Sequence, residues 1–425
     1  MMRLALALWL LALPAAAREN YALLIGAGDY PGLAQKYWLK GPANDVRLVK
    51  TYLTTAAPVP FDAADVMVLA DGVEGAAPPT LAAIRNAFAD LTAKVQPGDF
   101  VYLHFSGHGS QAPAQSPETE LDGLDELFMP SDIGPWQDGI GAVQNALVDD
   151  EIGTLIDGVR ARGANVWAVF DSCHSGTVTR GVPEQDVRMR QVPPEALGIP
   201  DAALAVATRA LPDDSAAGAE VPIDTTEKAG MGSLVAFFAA QTTEVTPEKN
   251  LPKGKPGRLP QGVFTWSLFE VLADHPGATY GQIGQEVLRK YATTKVAHTT
   301  PMFEGDLDQV AFSGTPGTRV AQWPAVTDGQ GFAIPAGLLH GLSEGQQLLV
   351  MASAADPDSA ALGHVELTRV ATFDATAQPV AGAPLPQPLP KSVLLRRTGT
   401  DLDFTLTVAL PADAPALAAA LPGLK

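Results

Sequence analysis

The chain has 425 residues, 46% of them hydrophobic and 18% charged: enough apolar side chain for two or three packed domains, and too little charge for a disordered chain. Counting Lys+Arg 28 against Asp+Glu 47 leaves a formal net charge of -19, a field that repels phosphate backbones and argues against a nucleic-acid partner. A single cysteine excludes a disulfide framework and any multi-thiolate metal site.

Residues Met1 to Ala17 read as a secretory signal peptide. Arg3 supplies the positive start, Leu4 to Leu13 a short apolar run, and Pro14 precedes a small-residue cleavage site at Ala15-Ala16-Ala17. An uncleaved anchor or a buried first helix is the alternative, although the run is too short to span a bilayer comfortably. The mature chain is therefore expected to be soluble, secreted or periplasmic, with no stable membrane insertion. A free thiol outside the cell is exposed to oxidation, so Cys173 is either a buried core residue or a working nucleophile.

Tyr21 to Gly26 is an apolar run ending in glycine, a buried strand. Asn44 to Leu53 has helical spacing through Val46, Val49 and Leu53, and Asp65 to Leu69 is strand-like. Thr80 to Val95 is the clearest helix, with Leu81, Ile84, Phe88, Leu91 and Val95 on one face and Pro97-Gly98 to end it. Phe100 to Phe105 and Asn165 to Phe170 are strands, with a helix from Glu151 to Val159 between them. This alternation predicts an α/β fold, a mainly parallel sheet flanked by helices on both faces, with sites beyond the carboxyl ends of its strands.

Residues 178–230 are rich in Pro, Ala and Asp with little periodicity, and are expected to form a long exposed loop or linker. A strand returns at Ser233 to Ala240, followed by a second loop, Glu248 to Pro260, carrying Lys249, Lys253, Lys255 and Arg258. Helices at Phe264 to Ala273 and Tyr280 to Tyr291 and a closing strand near Val310 complete this region, residues 231–314. Short β-like runs follow at Gln347 to Met351, Val365 to Val370 and Phe404 to Val408, interrupted by Pro379 to Pro390. They predict a small C-terminal β-rich domain over residues 325–425, with no constellation that speaks of chemistry.

Two motifs do carry chemistry. In Ser106-Gly107-His108-Gly109 an imidazole stands between two glycines just past a strand, on backbone that admits close approach of a substrate. In Asp171-Ser172-Cys173-His174-Ser175-Gly176 the only thiol lies at another strand end. A thiol needs a base to become a competent nucleophile, and histidine is the usual partner. His108 is the candidate base, since His174 leaves its strand pointing away from its neighbour and His104 lies inside a strand as a core residue.

Together these motifs resemble the catalytic signatures of metacaspases and related bacterial caspase-like cysteine peptidases. Gly41-Pro-Ala-Asn-Asp45, the acidic stretch Asp122 to Asp132, and Gly262 to Glu270 resemble further family segments, so that the likeness covers residues 20–314. It implies a caspase-like fold, with residues 18–177 as the large-subunit-like part and 231–314 as the small-subunit-like part. It implies a cysteine endopeptidase in which Cys173 attacks the scissile carbonyl, His108 moves the proton, and the backbone N–H groups of Cys173 and Gly109 hold the oxyanion. The family's basic-selecting pocket maps onto Asp45, Ser106 and Asp171, which implies peptide or protein substrates with Arg or Lys before the cut. Pro42 stands where many members carry a cysteine in that pocket. The family's calcium site maps onto Asp125, Asp149 and Asp150, with Arg180 where a fourth aspartate would stand. The residues read alone leave alternatives: Asp45 as a first-turn helix acid, Asp171 as a loop brace, Asp149 and Asp150 as caps of the following helix. If the enzyme cuts after basic residues, Arg180, Arg188, Arg190, Arg209, Lys228, Lys253, Lys255 and Arg258 are possible self-cleavage positions. The competing readings are an Asp-specific caspase-like peptidase and a catalytically silent scaffold.

Overall fold

The computed structural model describes residues 18–116, 120, 122–173, 187–209, 223–295, 297–314, 317, 320–328, 331–390 and 393–397. The expected signal segment, His174, Arg180 and the run Phe404 to Val408 lie outside them. The chain divides into two compact units, one running to Arg319 and including Ser353–Ala355, the other made of Val320–Ala352 and the residues from Asp356 on. No helix among the described residues is long and apolar enough to cross a membrane.

In chain order, β1 (Asn20–Gly26), α1 (Gly41–Thr55), β2 (Val66–Ala70), α2 (Leu81–Lys94) and β3 (Phe100–Ser106) build the first half of the sheet. Thr80 caps α2, its Oγ accepting the Ala83 N–H at 3.2 Å. The chain then leaves the sheet through β4 (Gly109–Pro113), β5 (Leu124–Phe128), the short pair β6 (Trp136–Gln137) and β7 (Ala142–Val143), and β8 (Leu147–Val148). It re-enters through α3 (Asp149–Arg160) and β9 (Asn165–Asp171). After β10 (Val187–Met189) and α4 (Asp201–Arg209) come β11 (Leu234–Phe238), the hairpin β12 (Pro247–Leu251) and β13 (Leu259–Gly262), helices α5 (Val263–Asp274) and α6 (Tyr280–Thr294), and β14 (Met302–Gly305).

The central sheet has the order β14-β11-β9-β3-β1-β2. All its pairs are parallel except β11 with β14. Alternation along each strand sends side chains to opposite faces. In β3, Val101, Leu103 and Phe105 pack with α2 and α3, whereas Phe100 and Tyr102 pack with α1, α5 and α6. Both faces are covered, as a parallel sheet requires. His104 points into the second core, between the Tyr102 and Thr265 hydroxyls at 3.2 and 3.3 Å, and burial lowers its pKa to about 3. It is a neutral core residue.

Three expectations are corrected. The closing strand is β14, not the run at Val310, because Phe312 turns to φ 63° there and drives its ring against Tyr102 and Trp167. Glu248 to Pro260 is a β-hairpin with Glu248 and Leu251 buried, and exposure is confined to its tip, with Lys253, Lys255 and Arg258, and the adjoining Leu259. The described part of 178–230 is not an exposed loop: it carries β10 and α4 and buries Arg190, Val192, Leu197, Ile199 and Ile223. The elements here are short, three to nine residues each, and Val192, Leu197 and Ile199 are buried between them rather than on a repeating face.

The second unit is a closed six-stranded barrel, β15 (Gln322–Asp328), β16 (Gly331–Ile334), β17 (Gln347–Met351), β18 (Gly363–Val370), β19 (Ala375–Pro379) and β20 (Val393–Arg397), in the order β15-β16-β19-β18-β17-β20. Closure leaves no open edge. Its interior is filled by Phe332, Ile334, Leu348, Val350, Val365, Leu367 and Leu395.

Candidate active site

Strands β3 and β9 are neighbours in parallel register, with Ser106 beside Asp171. Two residues past each strand end stand His108 and Cys173, so the register alone carries both to one rim of the sheet. Gly109 closes the gap: a Cβ there would lie 1.6 Å from the Cys173 carbonyl oxygen, an approach only glycine permits.

The His108 ring is fixed by its neighbours. Nε2 lies 2.5 Å from the Tyr37 carbonyl oxygen, which can only accept, so Nε2 carries the proton and Nδ1 keeps its lone pair. Nδ1 is buried without a hydrogen-bond partner among the described residues, as a base awaiting a proton would be. The His108 backbone N–H donates to the Tyr30 hydroxyl at 2.9 Å. The Cys173 sulfur accepts the Thr246 N–H at 3.0 Å. Burial pushes the thiol up to about 12 and His108 down to about 4, so both groups are neutral in this state.

What buries them is a stretch of the chain itself. β10 pairs antiparallel with β12. Beyond it the Arg190 N–H donates to the Thr246 carbonyl at 2.9 Å, the Gly109 N–H donates to the Arg190 carbonyl at 3.1 Å, and the Val192 N–H donates to the Gly109 carbonyl at 3.1 Å. The Arg190 main chain thus lies across the rim, in contact with both His108 and Cys173. One of the two expected oxyanion donors, Gly109, already holds the Arg190 carbonyl oxygen.

The Arg190 side chain is fully buried in the expected basic-selecting pocket. Nη2 lies 2.5 Å from Asp45 Oδ2, and Nη1 lies 3.0 Å from Ser106 Oγ and 2.9 Å from the Asp171 carbonyl oxygen. The Asp171 carboxylate stands 3.2 Å from Nη1. Its other oxygen is held by the Thr265 N–H and hydroxyl at 2.9 and 2.7 Å, while the Gly262 N–H holds Asp45 Oδ1 at 2.9 Å. Burial lifts Asp45 to about 6 against the pull of Arg190, whose own pKa the surrounding carboxylates raise. Pro42 occupies the second position of α1 and is buried; its neighbour Gly41 is the residue that faces the guanidinium, where a Cβ would meet Nη2 at 2.6 Å.

Residues 20–181 match the family model described as the metacaspase, peptidase C14 domain. This segment resembles a metacaspase peptidase domain. Its relatives include Metacaspase-4 of Arabidopsis thaliana, 35% identical over 164 residues, which are 39% of this chain and 35% of that protein. Metacaspase-1A of Aspergillus terreus is 34% identical over 160 residues, 37% of this chain and 36% of that protein. Metacaspase-1A of Aspergillus fumigatus is 26% identical over a longer stretch of 296 residues, 65% of this chain and 66% of that protein. The chain thus spans about a third of the length of the first two.

The acidic cluster of this segment differs from the expected one. Among the described residues, the carboxylate oxygens that converge within 4.8 Å of one another belong to Glu120, Glu126 and Asp149. Asp125 and Glu126 are successive residues of β5, and it is a Glu126 oxygen that comes within 4.8 Å of those of Asp149 and Glu120, while Asp125 acts on Asp149 only through its charge. Asp125 instead accepts the Gln115 N–H at 3.2 Å, and Asp150 is exposed on the first turn of α3. Asp149 Oδ1 is buried without a hydrogen-bond partner among the described residues, and desolvation, reinforced by Asp125 and Asp150, raises its pKa to about 7. Three hard oxygen donors, with Asp149 Oδ1 left unsatisfied among the described residues, fit calcium.

Sequence reasoning missed Arg190 as an occupant of the pocket, the Tyr37 and Thr246 main-chain partners, Glu120, Glu126 and Glu248. Arg190 carried a signal only as one of several basic residues. The main-chain partners carried none, since any residue type supplies a carbonyl.

Proposed function

We propose that this chain is a cysteine endopeptidase that cleaves after Arg or Lys and that cuts itself between Arg190 and Gln191. The observation that carries this reading is the seat of Arg190. Its guanidinium sits among carboxylates, its carbonyl oxygen accepts from Gly109, and its main chain touches both Cys173 and His108. An aspartate side chain in that pocket would meet like charge, which argues against an Asp-specific peptidase.

The chemistry follows from the geometry. His108 Nδ1 takes the Cys173 proton, and the sulfur attacks the Arg190 carbonyl carbon, forming a C–S bond. The oxygen gains negative charge where the Gly109 N–H points, with the Cys173 N–H as the second expected donor. Collapse breaks the bond to the Gln191 nitrogen, which leaves as an amine with the proton from His108. Water then hydrolyses the thioester, restoring the thiol and leaving a carboxylate on Arg190. In the covered state the proton stays on sulfur, since burial disfavours both thiolate and imidazolium.

We propose that Glu120, Glu126 and Asp149 hold calcium. Bound there, the ion supplies counter-charge to three carboxylates that otherwise repel one another at the entry to α3. We further propose that residues 1–17 direct export. The charge pattern, apolar run and alanines support that reading, and N-terminal sequencing of chain recovered outside the cell checks it.

The test incubates purified full-length chain and its Cys173→Ala variant with calcium, sequences the fragment N-termini, and assays peptides with Arg, Lys or Asp before a fluorogenic group. The expected result is a new terminus at Gln191 and hydrolysis of Arg and Lys peptides, both absent in the variant. Equal cleavage by both proteins, or hydrolysis of Asp peptides only, would overturn the reading. Complete inertness of the unmodified chain would leave the silent scaffold in its place.

A further inference from the structure

Resting on the proposed cleavage after basic residues, we infer that Glu248 is a specificity-determining residue that makes the pocket select arginine over lysine. Glu248 lies on β12, 2% exposed, in a stretch with no sequence sign of a site. Its Oε2 stands 3.8 Å from Arg190 Nη2, on the side of the guanidinium that Asp45 also faces. Backbone N–H groups hold it there, Lys40 donating to Oε1 at 3.1 Å and Gly41 to Oε2 at 2.9 Å. The side chain cannot swing away without leaving the first turn of α1 without its acceptor.

The pocket therefore recognises two separate nitrogens. Nη1 belongs to Ser106 and Asp171, and Nη2 to Asp45 and Glu248. Two glycines widen the slot where the fork spreads. A Cβ on Gly262 would lie 2.7 Å from Nη1, and a Cβ on Gly41 2.6 Å from Nη2. Nε has no hydrogen-bond partner among the described residues, so recognition falls on the two ends of the fork. A lysine ammonium is a single point charge. It can take the place of one end only, leaving the carboxylates of the other without a cation in a dry slot. With Asp45 alone on the Nη2 side, an ammonium near Nη1 would leave one carboxylate short; Glu248 makes it two.

The experiment uses the full-length chain, Glu248→Gln and Glu248→Asp, with two fluorogenic peptides identical except for Arg or Lys at the cleaved position. The expected result is a preference for Arg in the unmodified chain, measured as the ratio of kcat/KM values. In Glu248→Gln that ratio falls by roughly tenfold or more, mainly through loss on the Arg peptide, and Glu248→Asp recovers part of it. An unchanged ratio in Glu248→Gln overturns the inference. So does equal loss on both peptides, which would make Glu248 only a structural pin for α1. Failure of the underlying reading looks different: the unmodified chain would hydrolyse neither peptide.

Discussion

Replacing Arg190 by alanine removes the cation that Asp45, Asp171 and Glu248 share in a buried pocket. The three carboxylates stand 2.5, 3.2 and 3.8 Å from the guanidinium nitrogens. At an effective dielectric of about 20 each such pair attracts by roughly 4–7 kcal/mol before desolvation is subtracted. Desolvation offsets much of that, and removing one partner of a buried pair costs about 3–5 kcal/mol. The chain can escape this cost by releasing residues 187–192 and letting water into the pocket. Release therefore becomes easier by about two to four orders of magnitude. Cys173 is the only cysteine, so iodoacetamide labelling followed by intact mass reports that release directly. At pH 8 without calcium, the unmodified chain is expected to label very slowly, because the covered thiol is held near 12. Arg190→Ala is expected to label at least a hundredfold faster and to yield no fragment beginning at Gln191. Arg188→Ala is the control: its side chain is exposed and donates to the Trp38 carbonyl at 2.6 Å, so labelling is expected to change by less than about tenfold. Equal labelling of Arg190→Ala and the unmodified chain would refute the reasoning.

Further outcomes follow from the same geometry. Gly109→Ala must move a Cβ out of the Cys173 carbonyl, so cleavage of Arg peptides is expected to fall by about a hundredfold or more, with a lower melting temperature. His108 has a depressed pKa when covered, so its contribution to stability is full above its unfolded value near 6.5 and is lost as pH falls through about 4. That interval corresponds to roughly 3 kcal/mol at most, and in Cys173→Ala the drop in melting temperature between pH 7 and pH 4 is expected to shrink when His108→Gln is added. Calcium at about 100 times its Kd adds about 2.7 kcal/mol to a chain that binds it only when folded. Calorimetry of Cys173→Ala is expected to show a rise of a few degrees, abolished by Asp149→Asn and kept by Asp125→Asn. Loss of the shift in both would return Asp125 to the ion.

Local pattern carried most of the first unit. Apolar runs ending in glycine or acid marked β1, β3 and β9, and the i, i+3, i+4 face of Leu81, Ile84, Phe88 and Leu91 marked α2 with its Thr80 cap. The same patterns placed His108 and Cys173 past two strand ends. The hairpin of β12 and β13 was read as a loop because its lysines outweigh its apolar residues, and its inward glutamate breaks the usual polar-out rule.

The amino-acid order by itself determined which backbone segments extend or coil, and which two motifs can supply a thiol and a base. Only the tertiary structure decided that Arg190 fills the pocket, that Glu248 joins it from β12, and that Glu120 and Glu126 accompany Asp149. The reason is physical. Strand and helix formation are read from neighbours within a few residues, whereas Arg190 and Glu248 are held by partners 145 and 207 residues away, through charge compensation that leaves no periodic mark on the chain.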